Sequence, residues 1–152
     1  MARSSFNLEP TSAVEILEID PERVVVQKAT NVPWSELANV FDSTYGAIIP
    51  VVMAEGIETT GAAVAVYPRP PSDTISMEIG FPVNRPLSAA QTTDDGLVFE
   101  NSEIPGGMVA RITYIGPYDG LGAAWEAFMT GIAAAGHQPG LPFWEVYVTD
   151  TT

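Results

Sequence analysis

Glu145 and Tyr147 stand two residues apart in Phe143-Trp144-Glu145-Val146-Tyr147, an aromatic and β-branched run that predicts a strand. Strand side chains alternate, so the carboxylate and the phenol share one face, and Trp144, Val146 and Val148 share the other. A carboxylate among such neighbours has one functional reading and one plainer one. As a buried anion it draws a cation from outside, because a buried charge is costly until an opposite charge joins it. Aromatic rings beside it add cation–π attraction, strongest where water is excluded. The plainer reading is the solvent side of an edge strand. Glu78, on the minority face of the strand Ile75–Val83, is the natural second acid, and a solvated strand face accounts for it equally well.

An internal repeat adds weight to Glu145. Residues 24–41 (VVVQKATNVPWSELANVF) and 108–125 (MVARITYIGPYDGLGAAW) align without gaps, matching Pro33 with Pro117, Trp34 with Tyr118, Leu37 with Leu121 and Phe41 with Trp125. Each copy reads as a strand, a Pro-aromatic turn, a capping residue (Ser35 or Asp119) and a helix. Further on, Gly56 falls on Gly136, Val66 on Val146 and Tyr67 on Tyr147, with Ala65 opposite Glu145. The first copy is small and neutral where the second has its carboxylate, so packing of the repeated unit does not require an acid there. Two copies of one supersecondary unit imply modules packed face to face with a groove where they meet.

The elements that must position these groups follow from the pattern. Val14–Ile19 and Arg23–Asn31 read as a hairpin around Asp20-Pro21. Two helical pieces, about 35–45 and 47–55, are expected with a break at Gly46 and Pro50. Ala62–Arg69 and Ile75–Val83 form a hairpin closed by Pro70-Pro71-Ser72-Asp73, and the second strand alternates cleanly. Residues 84–97 are polar and predict a linker between halves at about 13–83 and 98–150. Val98–Glu103 and Met108–Ile115 are strands, a helix follows Asp119 and stops at Gly136, and Phe143–Thr149 is the last strand. Trp34, Tyr118 and Trp125 are expected in the core, the first two as staples of helix starts. The order ββαββ then ββαβ predicts an α+β fold: an antiparallel sheet with helices on one face. Residues 1–12 read as a loose arm ahead of one domain, 13–152.

Composition narrows the function. Cysteine is absent, which excludes disulfides, thiolate metal sites and a cysteine nucleophile. The single His137 sits in a predicted turn, so no metal and no Ser-His-Asp triad is expected. Nineteen acids face six bases, a net charge of −13, with the bases scattered. Phosphate backbones would be repelled, so direct nucleic-acid binding is not expected. The same charge attracts cations. No apolar stretch is long enough to span a bilayer, and a cytoplasmic protein with no membrane partner is the expectation. Gly106-Gly107 lacks the Lys and Ser/Thr of a nucleotide cradle, and no cofactor is expected.

The repeat, Gly106-Gly107-Met108-Val109-Ala110, Gly116-Pro117-Tyr118, Trp125 and the terminal Phe143–Tyr147 run together resemble the GyrI-like (gyrase-inhibitor-like) effector-binding family, from about residue 13 to 150. That family includes the small-molecule-binding domains of multidrug transcription regulators and stand-alone proteins. The resemblance implies two modules related by a pseudo-twofold, with the ligand in the groove between them. It also implies that Glu145, two before Tyr147, contacts cationic aromatic ligands. Tyr67, as the repeat partner of Tyr147, and Trp144, Phe143 and Met53, by proximity, complete the expected ligand-binding set with Glu78. Nothing before residue 13 reads as a helix-turn-helix, so a free-standing binding module is expected. The expected function is binding or sequestration of a hydrophobic, cationic aromatic compound. The alternatives are hydrolysis of a reactive small molecule by Glu145 and Tyr147, and regulation of a protein partner.

Overall fold

The computed structural model describes residues 4–6 and 8–148. Its elements run β1 (Glu15–Ile19), β2 (Glu22–Pro33), α1 (Leu37–Met53), β3 (Ala63–Tyr67), β4 (Thr74–Pro82), β5 (Gln91–Thr92), β6 (Val98–Ile104), β7 (Gly107–Arg111), α2 (Leu121–Ala134) and β8 (Phe143–Tyr147). The fold is α+β. Six antiparallel strands form one sheet in the order β5-β6-β2-β4-β3-β8, and β1 pairs with β7 in a separate two-stranded sheet.

The expected hairpin of the first two strands is not formed. Glu15–Ile19 pairs with Arg111–Gly107, while β2 lies between β4 and β6. Alternation in β1 is real, with Leu17 and Ile19 buried and Ile16 exposed, but alternation specifies a face and not a partner. Both edges of β2 are taken by strands further along the chain. The β3–β4 hairpin forms as expected, with Ala65 opposite Ile79 and Val66 opposite Glu78. The segment 84–97 is not a bare linker: Gln91–Thr92 pairs with β6, and the Asn101 side chain holds both the N–H and the carbonyl of Leu87, which is buried. The strand expected at Met108–Ile115 ends at Arg111. Of the last expected strand, Thr149 lies outside the described residues.

The first helix is continuous across Gly46 and Pro50 rather than broken in two. Pro50 sits in the last turn, where its missing N–H removes a single bond to the Gly46 carbonyl. Thr44, Ile48 and Val52 form a buried stripe spaced by four residues, and tertiary packing of this stripe outweighs the local defect. Ser35 and Asp119 do not cap. Each lies inside a short 3-10 turn, Trp34–Glu36 or Tyr118–Gly120, with no side-chain cap bond. The repeat itself is plain in the structure. Pro33 and Pro117 are both extended, the same 3-10 turn follows each, and the helices begin at Leu37 and Leu121. Both helices also end alike. Gly56 and Gly136 take positive φ of 67° and 86°, and the next N–H in each case, of Ile57 or His137, reaches back to Val52 or Ile132.

Chain contacts divide the molecule into two compact units. One contains β1, β7 and α2, where Phe128 and Ile132 are buried and Trp125 packs on Phe128 at 5.5 Å. The other contains the six-stranded sheet and α1. In this second unit α1 covers one sheet face through two apolar clusters. Ile48 and Val52 pack with Val25, Ile57, Leu87 and Phe99, while Leu37, Val40, Phe41 and Tyr45 pack over Ala65, Tyr67, Met77 and Ile79.

Candidate functional site

The edge of the six-stranded sheet carries the residues of interest. β3 and β8 run antiparallel with Tyr67 opposite Phe143, Ala65 opposite Glu145 and Ala63 opposite Tyr147. These are the positions that the internal alignment superposes, each eighty residues from its counterpart. A register that pairs Ala65 with Glu145, and Tyr67 with Phe143 as Tyr147 with Ala63, is that of a local twofold passing between Ala65 and Glu145. Tyr67 and Tyr147 are therefore brought to the carboxylate from opposite directions along the two strands.

Parity then decides the face. Phe143, Glu145 and Tyr147 point to the side on which α1 lies, together with Ala65 and Tyr67. Glu145 is half-buried there and not on a solvated strand face. Its Oε1 accepts two hydrogen bonds, from the Tyr147 hydroxyl at 2.6 Å and from the Tyr67 hydroxyl at 2.9 Å. Ala65 is fully buried, and its small side chain leaves room for the carboxylate directly opposite.

Aromatic rings line the neighbourhood. Phe143 stacks on Tyr67 with centroids 5.2 Å apart. Phe41 meets Tyr147 edge-on at 6.2 Å, Tyr45 lies 5.9 Å from Phe41, and Phe81 meets Tyr45 at 5.7 Å. The Tyr45 hydroxyl donates to the Val64 carbonyl, which fixes its ring over β3. Burial, followed by the negative charge of Glu145, pushes the Tyr67 phenol far above its ordinary range. Burial pushes the Tyr147 phenol up further, with the charges of Tyr67 and Glu145 acting in the same direction. Both phenols are thus protonated donors at neutral pH.

The structure brings together four of the seven residues singled out from the sequence: Glu145, Tyr147, Tyr67 and Phe143. The other three lie elsewhere. Trp144 points to the opposite face of the sheet, beside Val66. Glu78 is on that opposite face too, across Val66, where Ser102 Oγ donates to its Oε1 at 2.5 Å. Lys28, opposite Glu78 on β2, is ion-paired to Glu100 at 3.0 Å. The hydrogen bond and charge of Glu100 raise the Lys28 ammonium above its usual range, with a smaller contribution from Glu78. These groups form a polar row across β4, β2 and β6. Met53 ends α1, 67% exposed, in a shallow depression with Ile49, Ile57 and Thr59.

Sequence reasoning missed Phe41, Tyr45 and Phe81, which complete the ring-lined surroundings. The signal was present in the spacing of Phe41 and Tyr45, four apart and hence on one helix face. Conversely, Trp34 and Tyr118 are not core residues: they are 51% and 57% exposed, because the 3-10 turns that carry them stand ahead of the packed helix stripes. Among the described residues no group of three or more His, Asp or Glu side chains could hold a metal ion, and no helix is long and apolar enough to cross a membrane.

An acid that receives two protonated phenols amid aromatic rings, on a strand pair with local twofold register, is suited to holding a small organic molecule. A search of curated proteins finds no match to this chain. The model of the GyrI-like small molecule binding domain matches residues 12–152, nearly the full sequence, and the chain belongs to that family.

Proposed function

We propose that the protein binds hydrophobic, cationic aromatic compounds, and that Glu145 supplies the charge that holds them. The observation that carries this reading is the pair of phenol hydrogen bonds to a single carboxylate oxygen. Two neutral donors solvate the anion in place without cancelling its charge, so a cation nearby still gains electrostatic energy. The rings of Tyr67, Phe143, Tyr147 and Phe41 supply apolar surface and cation–π attraction for the same molecule. The test is a titration with a fluorescent lipophilic cation. Glu145→Gln keeps the shape and should weaken binding by about tenfold or more, as expected for loss of a partly desolvated charge contact. A neutral dye of similar shape should bind wild type and variant about equally. Unchanged cation affinity in Glu145→Gln removes this carboxylate from the site.

The same geometry favours one second reading, hydrolysis of a reactive electrophile. Glu145 would orient a water as general base, and a tyrosine held protonated by burial would donate to the leaving atom. Turnover separates the two. Product accumulating well beyond one equivalent per chain, and abolished in Glu145→Gln, supports hydrolysis; a strictly stoichiometric signal supports binding alone.

A further inference from the structure

The internal repeat extends to strand pairing. Leu17 opposite Val109 in the two-stranded sheet and Asn101 opposite Val25 in the six-stranded sheet are one pair under the spacing of the repeat, as are Ile19 with Gly107 and Glu103 with Arg23. Strand β7 is therefore the counterpart of β2, and β1 the counterpart of β6. The likeness ends on the other side of each strand. β2 has a second neighbour, β4, in a register that sets Phe81 opposite Val25 and Ile79 opposite Gln27. Among the described residues β7 has no second neighbour, and no strand repeats β4. Burial follows the difference. Val24, Val25 and Val26 are fully buried, whereas their counterparts are Met108, 68% exposed, and the half-buried Val109 and Ala110.

An open strand edge offers N–H and C=O groups to another strand, and proteins usually blunt such edges. Two other edges of this molecule are blunted: β5 is two residues long, and β1 carries Glu15 and Glu18. β7 has neither proline nor lysine, and its one charged residue, Arg111, is paired with Glu15 at 2.6 Å. The chain that follows it is apolar and open to solvent, notably at Ile115 and Tyr118. Charge then selects the occupant. The described residues of this compact unit include Glu9, Glu15, Glu18, Asp20, Asp119 and Glu126, but no lysine and no arginine besides Arg111. A second copy, itself carrying −13, is repelled, and a basic segment is attracted. We propose that the outer edge of β7 docks an extended, basic segment of a partner protein, added as an antiparallel strand in the position that β4 takes beside β2. The repeat supplies the register: partner residues equivalent to Phe81 and Ile79 stand opposite Val109 and Arg111. This edge is separate from Glu145 and does not rest on the function proposed there.

The experiment titrates the isotope-labelled full chain with a nine-residue peptide and follows the backbone amides by NMR. The peptide copies Thr74–Pro82, with lysine in place of Ser76 and Glu78. The amides of Gly107–Arg111 should shift and saturate with a Kd of about 0.1 mM. Those on the outer side of β7 should also exchange with solvent about tenfold more slowly once they are paired. A peptide of the same composition in scrambled order should bind about tenfold more weakly, and so should one with glutamate at the two substituted positions. Met108→Lys, at an exposed position of β7, adds like charge beside the peptide and should weaken the lysine form about tenfold. The proposal is overturned if the lysine peptide leaves Gly107–Arg111 unshifted up to about 1 mM, a range that covers weak specific binding. It is equally overturned if the scrambled or the glutamate peptide binds as tightly, or if a folded Met108→Lys binds undiminished. A free chain that sediments as a dimer with the β7 amides already protected gives this edge to a second copy, and overturns the proposal as well. Should Met108→Lys fail to fold, the three peptides on the wild-type chain decide the question.

Discussion

One oxygen of Glu145 accepts two phenols, and the fold holds both of those phenols protonated. The folded pKa of Tyr67 and of Tyr147 lies above the ordinary tyrosine value of about 10 because burial and neighbouring negative charge oppose the phenolate. Below pH 10 both phenols are protonated whether the chain is folded or not, and the stabilising arrangement is intact. Above pH 10 the unfolded chain releases protons that the folded chain retains, so stability falls as pH rises. Each retained proton costs about 1.4 kcal/mol per pH unit, giving a slope of about 2.7 kcal/mol per unit with both tyrosines engaged. Melting curves between neutral pH and strong alkali should show this loss, and tyrosinate absorbance should rise for these two phenols only as the protein unfolds. Tyr147→Phe should halve the slope and lower stability by about 1–2 kcal/mol, the effect of removing one hydrogen bond to a charged acceptor. A slope unchanged in Tyr147→Phe would show that its hydroxyl is not held protonated by the fold. At this level the sequence was informative. Side-chain parity and the repeat together singled out Glu145, Tyr147 and Tyr67 before any contact was known, since both depend only on spacing. Their mutual hydrogen bonds were not legible, because nothing in the spacing says that β3 and β8 are neighbours.

Strands and helices raise a different question, namely what room the sheet leaves for the site. Ala65 is fully buried and faces Glu145 across the β3–β8 pair, with α1 above it. A larger residue there would displace the carboxylate, the helix or both. Ala65→Leu should destabilise by about 1–3 kcal/mol in a denaturant titration, as overpacked cores do. It should also weaken the lipophilic cation to the extent that Glu145 moves. If the variant is less stable but binds normally, the strain has been taken up by α1 and the carboxylate has stayed in place. Gly80 sets the limit deeper in the sheet, where β2 approaches β4 so closely that a Cβ would lie 1.8 Å from the Val25 carbonyl oxygen. That contact is with backbone, which cannot swing aside, and Gly80→Ala should cost about 3 kcal/mol or more. Element types were largely readable from periodicity, but pairings and continuity were not. The expected β1–β2 hairpin failed because alternation is silent about partners. The expected break in α1 failed because Thr44, Ile48 and Val52 pack strongly enough to carry the helix past Pro50. The exposed Trp34 was misjudged because hydrophobicity says nothing of where a 3-10 turn points.

The net charge of −13 acts on every ligand before any side chain is touched. It attracts cations and repels anions over distances comparable with the Debye length, about 30 Å at 0.01 M salt and about 3 Å at 1 M. The contact proposed for Glu145 acts differently, in a half-buried place where screening is weak. Salt therefore separates the two contributions. Raising ionic strength over that range should weaken a lipophilic cation in wild type and in Glu145→Gln by the same factor, because both share the acidic surface apart from a single charge. The ratio of the two affinities should stay near its low-salt value. Isothermal titration at several salt concentrations measures that ratio directly. A ratio that falls to one at high salt would mean that Glu145 contributes only as one of nineteen acids to a diffuse field, and the specific contact proposed for it would be withdrawn. A constant ratio assigns selectivity to the carboxylate held by Tyr67 and Tyr147, and leaves the acidic surface the task of gathering cations from solution.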